Sequence, residues 1–210
     1  MAAKSRHAEE LVDALMAAAA ESGWRGLSLA DISDRAGVPL AEAAEMVRSP
    51  ADLLDLYARR IDRRMLEGGT VPGETARDRL FDVVMRRFEA MSPDRAALAV
   101  ILRQSGDDPW TLARGGRRLV KSMALTLEAA GLSSAGLCGL ARTNGLCAVY
   151  LYALRAFLDD DSPDLSRTMS SLDTALRRAE GLAGLMRGRR PEPAAPTADN
   201  EVEGHLRPLS

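Results

Sequence analysis

The segment from Ser28 to Leu54, SLADISDRAGVPLAEAAEMVRSPADLL, restricts this chain more than any other. Ser28 stands three residues before Asp31 and just ahead of an apolar run, which predicts a capped helix start with an acid at its positive end. Leu29, Ile32 and Ala36 then recur at helical spacing. Gly37 follows where a left-handed C-terminal cap belongs, and Pro39 suits the first turn of a second short helix. Ser49-Pro50-Ala51-Asp52 repeats the start signal for a third helix. Two short helices joined by a tight turn, with a third helix following at once, form a helix-turn-helix.

The chemistry of that segment is less suited to a polyanion than its outline. Phosphate contacts come chiefly from Lys and Arg, yet Arg48 is the one cation near the second helix, beside Glu42 and Glu45. Residues 1–60 hold 7 Lys/Arg against 10 Asp/Glu, a net charge of −3. The whole chain, at −2 with a pI near 5.8, has no global attraction for nucleic acid or acidic membranes.

The run LVDALMAAAAESGWRGLSLADISDRAGVPLAEAAEMVRSPADLL, residues 11–54, resembles the TetR family of transcriptional regulators. The carriers are Gly23-Trp24, Ser28-Leu29 with Ile32, Ala36-Gly37-Val38 and Asp52-Leu53-Leu54. The resemblance implies an all-α TetR-like fold and a homodimer that binds operator DNA under control of a small, apolar ligand. It places DNA contacts on Lys4 and Arg6 of an N-terminal arm, and on Ser28, Arg35, Pro39, Leu40, Glu42, Ala43 and Arg48. Where the family carries hydroxyls, aromatics and a Lys, this chain has Pro39, Glu42, Ala44, Met46, Val47 and Pro50.

Periodicity beyond residue 60 predicts an all-helical chain of about nine helices. Residues 1–6 read as an arm before a helix over 7–21, and Trp24 as a core plug. A helix over 50–66 points Leu53, Leu54, Tyr57, Ile61 and Met65 inward, and Arg59, Arg60, Arg63 and Arg64 largely outward. The Gly- and Pro-bearing stretch 68–73 reads as a loop. It divides residues 1–67, the helix-turn-helix part, from residues 74–188, a ligand-binding and dimerisation part; residues 190–210 read as a disordered tail. Gly106 to Pro109 breaks one helix, and Gly115-Gly116 is expected to interrupt the next.

A small-molecule site is expected within residues 74–130, lined by Phe81, Met85, Phe88, Trp110, Met123 and Leu127. So few aromatics favour an aliphatic, Met-lined pocket. Residues 134–158 are apolar nearly all round after Asn144. The last helix carries Leu165, Met169, Leu172, Leu176, Ala179, Ala183 and Met186 as a packing seam. By the TetR resemblance these two helices form the dimer interface, through Tyr150, Leu151, Leu154, Met169, Leu172 and Leu176.

The C-terminal half is also similar to the accessory lipid-binding family of ubiquinone biosynthesis, a TetR-like fold without DNA binding. LFDVVMRRFEAM at 80–91 and FLDDDSPDLSRTMSSLDTALRRAEGL at 157–182 carry that likeness. It implies an isoprenoid lipid held between helices. Enzyme chemistry has no visible machinery. His7 and His205 lie at the ends, no cluster has metal-ligand spacing, and no Gly-rich phosphate loop follows a strand. No cofactor and no catalytic residue is expected. Asp159-Asp160-Asp161 reads as a solvated helix stop. Cys138 and Cys147 read as buried, reduced thiols, which with the lack of a signal peptide or membrane span points to the cytoplasm.

Overall fold

The computed structural model describes residues 2–69, 75–106 and 108–187. Among them are nine α-helices and one 3-10 turn. The helices are α1 (Ala2–Ser22), α2 (Leu29–Ala36), α3 (Leu40–Met46), α4 (Pro50–Glu67), α5 (Ala76–Met91), α6 (Arg95–Gln104), α7 (Pro109–Ala129), α8 (Gly136–Leu158) and α9 (Ser166–Arg187). Residues 70–73 of the expected boundary loop at 68–73, the tail at 190–210 and the side chains of Ala183 and Met186 lie outside the described residues.

One apolar core runs from α1 to α9. Leu11, Leu15, Ile32, Leu53 and Ile61 close its N-terminal end, and Phe88, Met123, Leu127, Phe157 and Leu172 its other end. At its centre Phe88 stacks on Tyr150 at 5.2 Å and meets Phe157 at 5.0 Å, contacts worth more than their buried area alone. Trp24 packs against this core, as its apolar neighbours predict.

Helix α4 passes beside α1, α5 and α7 and is tied to each by charge. Arg60 is buried at 5% exposure, where the helical pattern predicts an outward cation. It donates to Asp13 of α1 and lies within 3.5 Å of Glu9 and 3.4 Å of Asp94. The reason is tertiary: acids on two other elements converge on one side of α4 and neutralise a guanidinium that also lies over the Tyr57 ring. Arg59, Arg63 and Arg64 do stay exposed. One turn further on, Asp62 accepts from buried Arg87 of α5 and from the Ser122 hydroxyl of α7. Arg87 in turn faces the Tyr150 hydroxyl at 3.4 Å.

Further expectations are corrected. Cys138 is exposed and Cys147 half-buried, because α8 is not covered all round. Residues 2–6 form the first turns of α1 rather than an arm, favoured by good helix formers and an Arg6–Glu10 pair at 3.5 Å. Helix α7 runs unbroken through Gly115-Gly116. Two glycines cost roughly 2 kcal/mol in a helix interior, but Arg114 and Arg118 pin the residues on either side to α4.

Asp160 is not solvated but fully buried. It accepts from the backbone and hydroxyl of Ser162, and from those of Thr168 at 2.7 and 2.6 Å, fixing the turn that starts α9. Burial pushes its carboxyl up, but the bonds from Ser162 and Thr168 outweigh burial and hold it at about 2.

Two outcomes follow. Asp160→Ala strips these bonds and should cost about 2–3 kcal/mol in urea unfolding. Its folded pKa is depressed, so the contribution is present above the unfolded value of about 4 and is lost as pH falls towards 2. The gap between wild type and variant should therefore close in acid. Asp62→Ala leaves the Arg87 guanidinium buried without its carboxylate and should cost about 3–5 kcal/mol by the same measurement.

Candidate nucleic-acid interface

The helix-turn-helix is built from local rules. Ser28 Oγ accepts from the Asp31 amide at 3.1 Å while Asp31 accepts from the Ser28 amide at 3.0 Å, a complete capping box. The Ser28 hydroxyl also donates to Asp31 at 2.6 Å, and that bond, with the one from the Ser28 amide, holds the Asp31 carboxyl below its usual range. Gly37, at φ 66°, closes α2 in the left-handed region and turns the chain. Pro39 stands at the N-cap of α3. Val38, Ala43 and Val47 anchor α3 in the core, which leaves Leu40, Ala41, Glu42, Ala44 and Glu45 outward.

The sequence-predicted contacts are distributed as follows. Pro39, Leu40, Glu42 and Arg48 are exposed, Leu40 at 48%. Ala43 is fully buried, so that expected contact is corrected: its methyl seats α3 in the core. Arg35 is exposed but engaged with Glu21 at 2.5 Å. Glu42 lies 2.9 Å from His7 Nδ1, a tie between α3 and α1. Ser28 is committed to its cap. Lys4 and Arg6 stand on the exposed face of α1 rather than on a free arm.

The motif is coupled to the rest of the chain at two places that the sequence does not announce. Gln104, at the end of α6, accepts from the Trp24 amide at 2.7 Å and the Arg25 amide at 3.0 Å, and its carbonyl accepts from Arg25 Nε. Residues 79 and 80 positions apart carry no local signal of such a pairing. At the start of α4, Asp52 accepts from the Arg48 amide at 2.8 Å and the Ser49 hydroxyl at 3.1 Å. Asp52 also accepts from Arg114 of α7, at 2.5 Å, and Asp55 accepts from both Arg114 and Arg118. Burial opposes ionisation of Asp52 and Asp55; the amide and guanidinium bonds outweigh it and hold both below the usual carboxylate range. Arg48 and Arg114 thus meet on one carboxylate, which links the end of α3 to α7.

The residues expected to line a ligand pocket mostly pack on one another. Phe88, Met123 and Leu127 are within 2% of full burial, and Met85 and Phe81 pack with them. Trp110 lies apart, 79% exposed at the start of α7. Of the expected dimer contacts, Tyr150, Leu172 and Leu176 fill the chain's own core and present no free surface. The α9 seam packs inward against α8 and α5. Leu154 and Met169 are half-buried, and Leu151 is 52% exposed. Among the described residues no group of three His, Cys, Asp or Glu could hold a metal ion, and no helix is long and apolar enough to cross a membrane.

No family model and no curated protein matches this sequence. Solved structures do. A TetR transcriptional regulator from Nitrosomonas europaea ATCC 19718 superposes with a TM-score of 0.68 at 22% identity, over 83% of this chain and 98% of that one. A transcriptional regulator from Rhodococcus sp. Rha1 gives 0.55 at 21% identity, over 84% and 96%. A protein assigned to the TetR family, from a Rhodococcus species, gives 0.57 at 21%, over 83% and 98%. The chain has the all-helical fold of TetR-type transcriptional regulators.

Proposed function

We propose that this chain is a DNA-binding transcriptional regulator that acts in the cytoplasm as a homodimer. The observation that carries this reading is the capped α2–turn–α3 unit, anchored by Ala43 with the opposite face of α3 outward, in a fold shared with transcriptional regulators. Residues 1–67 read the DNA, and residues 74–188 dimerise and respond to a ligand. In the dimer, α3 of each protomer enters the major groove. Leu40 meets thymine methyls, Glu42 and Glu45 accept from cytosine amino groups, and Arg48 neutralises phosphate. Arg35 joins them only by leaving Glu21.

The dimer surface is the outer face of α8. Leu137, Leu140, Leu151 and Tyr152 are 86%, 54%, 52% and 50% exposed and recur at helical spacing on that face. An uncovered apolar stripe of this size suits a partner helix of the same kind. A ligand acts through the shared carboxylate of Asp52: drawing the Arg114 guanidinium away from Asp52 frees the α4 start, whose Asp52 also holds the amide of Arg48.

The lipid-binding reading rests on a different observation, the acidity of the reading face, where Glu42 is held by His7. Fluorescence anisotropy against the chain's own upstream intergenic DNA, titrated with salt, separates the two. A regulator binds specifically, with affinity falling steeply as salt rises. Arg48→Ala removes one phosphate contact per protomer and should flatten the log–log salt slope by about 2 for a dimer. Absence of binding above the nonspecific level at low salt would retire the DNA reading and direct attention to co-purified lipid. An unchanged slope in the variant would remove Arg48 from the interface.

A further inference from the structure

A cleft of about 450 Å³ lies between α4 and α7, outside the packed interior around Phe88 and Met123. The small side chains of Ala58 and Ala113 leave room for it. Its charge is unbalanced. Asp55 and Asp62 line it, but Asp55 is committed to Arg114 and Arg118, and Asp62 to Arg87. Arg59, Arg117 and Lys121 also line it, all exposed, and none has a carboxylate partner among the described residues. Three cations at one cleft repel each other unless an anion joins them.

Trp110 completes the cleft. The chain has eight aromatic residues in all, and the other tryptophan packs against the core. Trp110 instead stands 79% exposed, placed by Asp108, which accepts from its amide at 3.0 Å and starts α7. An indole ring beside three unneutralised cations offers a stacking face next to an anion site. Asp55 and Asp62 count against a long polyanion laid along the cleft, because it would pass over both carboxylates. A compact ligand avoids them by turning its charge to the cations and its ring to the indole.

We propose that this cleft binds a small organic anion bearing an aromatic ring, its charge held by Arg59, Arg117 and Lys121 and its ring on Trp110. The bound anion draws on Arg114 and Arg118 in competition with Asp52 and Asp55, and so loosens the α4–α7 clamp. Binding itself does not depend on the regulator reading; only the effect on DNA does.

The test uses the full chain and two dyes, 8-anilino-1-naphthalenesulfonate and its neutral relative N-phenyl-1-naphthylamine, followed by calorimetry and indole quenching. The sulfonate should bind once per chain. The double variant Arg117→Ala/Lys121→Ala should weaken it about tenfold or more and leave the neutral dye unaffected. Asp55→Asn frees Arg118 and leaves Arg114 on Asp52 alone, and should tighten the sulfonate several-fold, the opposite sign. Equal binding of both dyes by the wild type, an unweakened double variant, or no saturable binding below about 1 mM would overturn the site. Unchanged affinity in a folded Asp55→Asn would overturn its link to the clamp; if that variant fails to fold, the double variant decides. The dyes are read without DNA, so loss of DNA binding with sulfonate binding intact would sink the regulator reading alone.

Discussion

Charges that α4 carries into partly buried positions govern the arrangement of the other helices. Asp52, Asp55, Arg60 and Asp62 lie on a single helix; the first two meet their opposites on α7, Arg60 on α1 and Asp62 on α5. A desolvated charge is tolerated only with a partner in good geometry. The pairs therefore act less as net stabilisers than as registration marks. Sliding α4 by one residue would separate all of them together, whereas the apolar contacts of Leu53, Tyr57 and Ile61 would re-form more readily. The packing of α1 on one side of α4 and of α5 and α7 on the other is fixed by this set.

That arrangement bears on α3. Helix α3 has seven residues, too short to hold its own direction in water. Its direction comes from Ala43 and Val47 below it, from Gly37 before it and from Asp52 after it. The motif is thus rigid where it meets the core and acidic where it faces outward. A face of this kind contributes little nonspecific attraction to a duplex, so discrimination would rest on base edges more than on the phosphate field.

Legibility followed the range of the interaction. The capping box at Ser28, the left-handed Gly37 and the Pro50 start were plain in the sequence, because a cap is decided within four residues. The inward set of α4 and the seam of α9 were plain as well, since period alone reveals an apolar face. What that face packs against is not periodic, and Leu172 and Leu176 proved to fill the chain's own core rather than a partner's. The burial of Arg60 needs Asp13 and Asp94 from distant segments. The continuity of α7 through Gly115-Gly116 needs Arg114 and Arg118 to find α4. Asp160 reads as one acid among three until Thr168, eight residues on, donates both its groups to it. The outer cleft was half visible: Trp110 was singled out, but for an apolar interior it does not enter.

The same Arg114 that closes the clamp lines the outer cleft, and its second carboxylate, Asp52, carries the amide of Arg48. On the proposal above, two sites that share one guanidinium would be coupled without any longer path through the core. Any ligand that takes hydrogen bonds from Arg114 must leave Asp52 with fewer, and any contact that pulls Arg48 and the α4 start outward must loosen Arg114 from the other side. Linkage makes the two effects equal in size. The device requires two arrangements of one side chain, not a displacement of whole helices. The surrounding core, closed over Phe88, Met123 and Leu127, can therefore stay fixed while the signal passes along its edge.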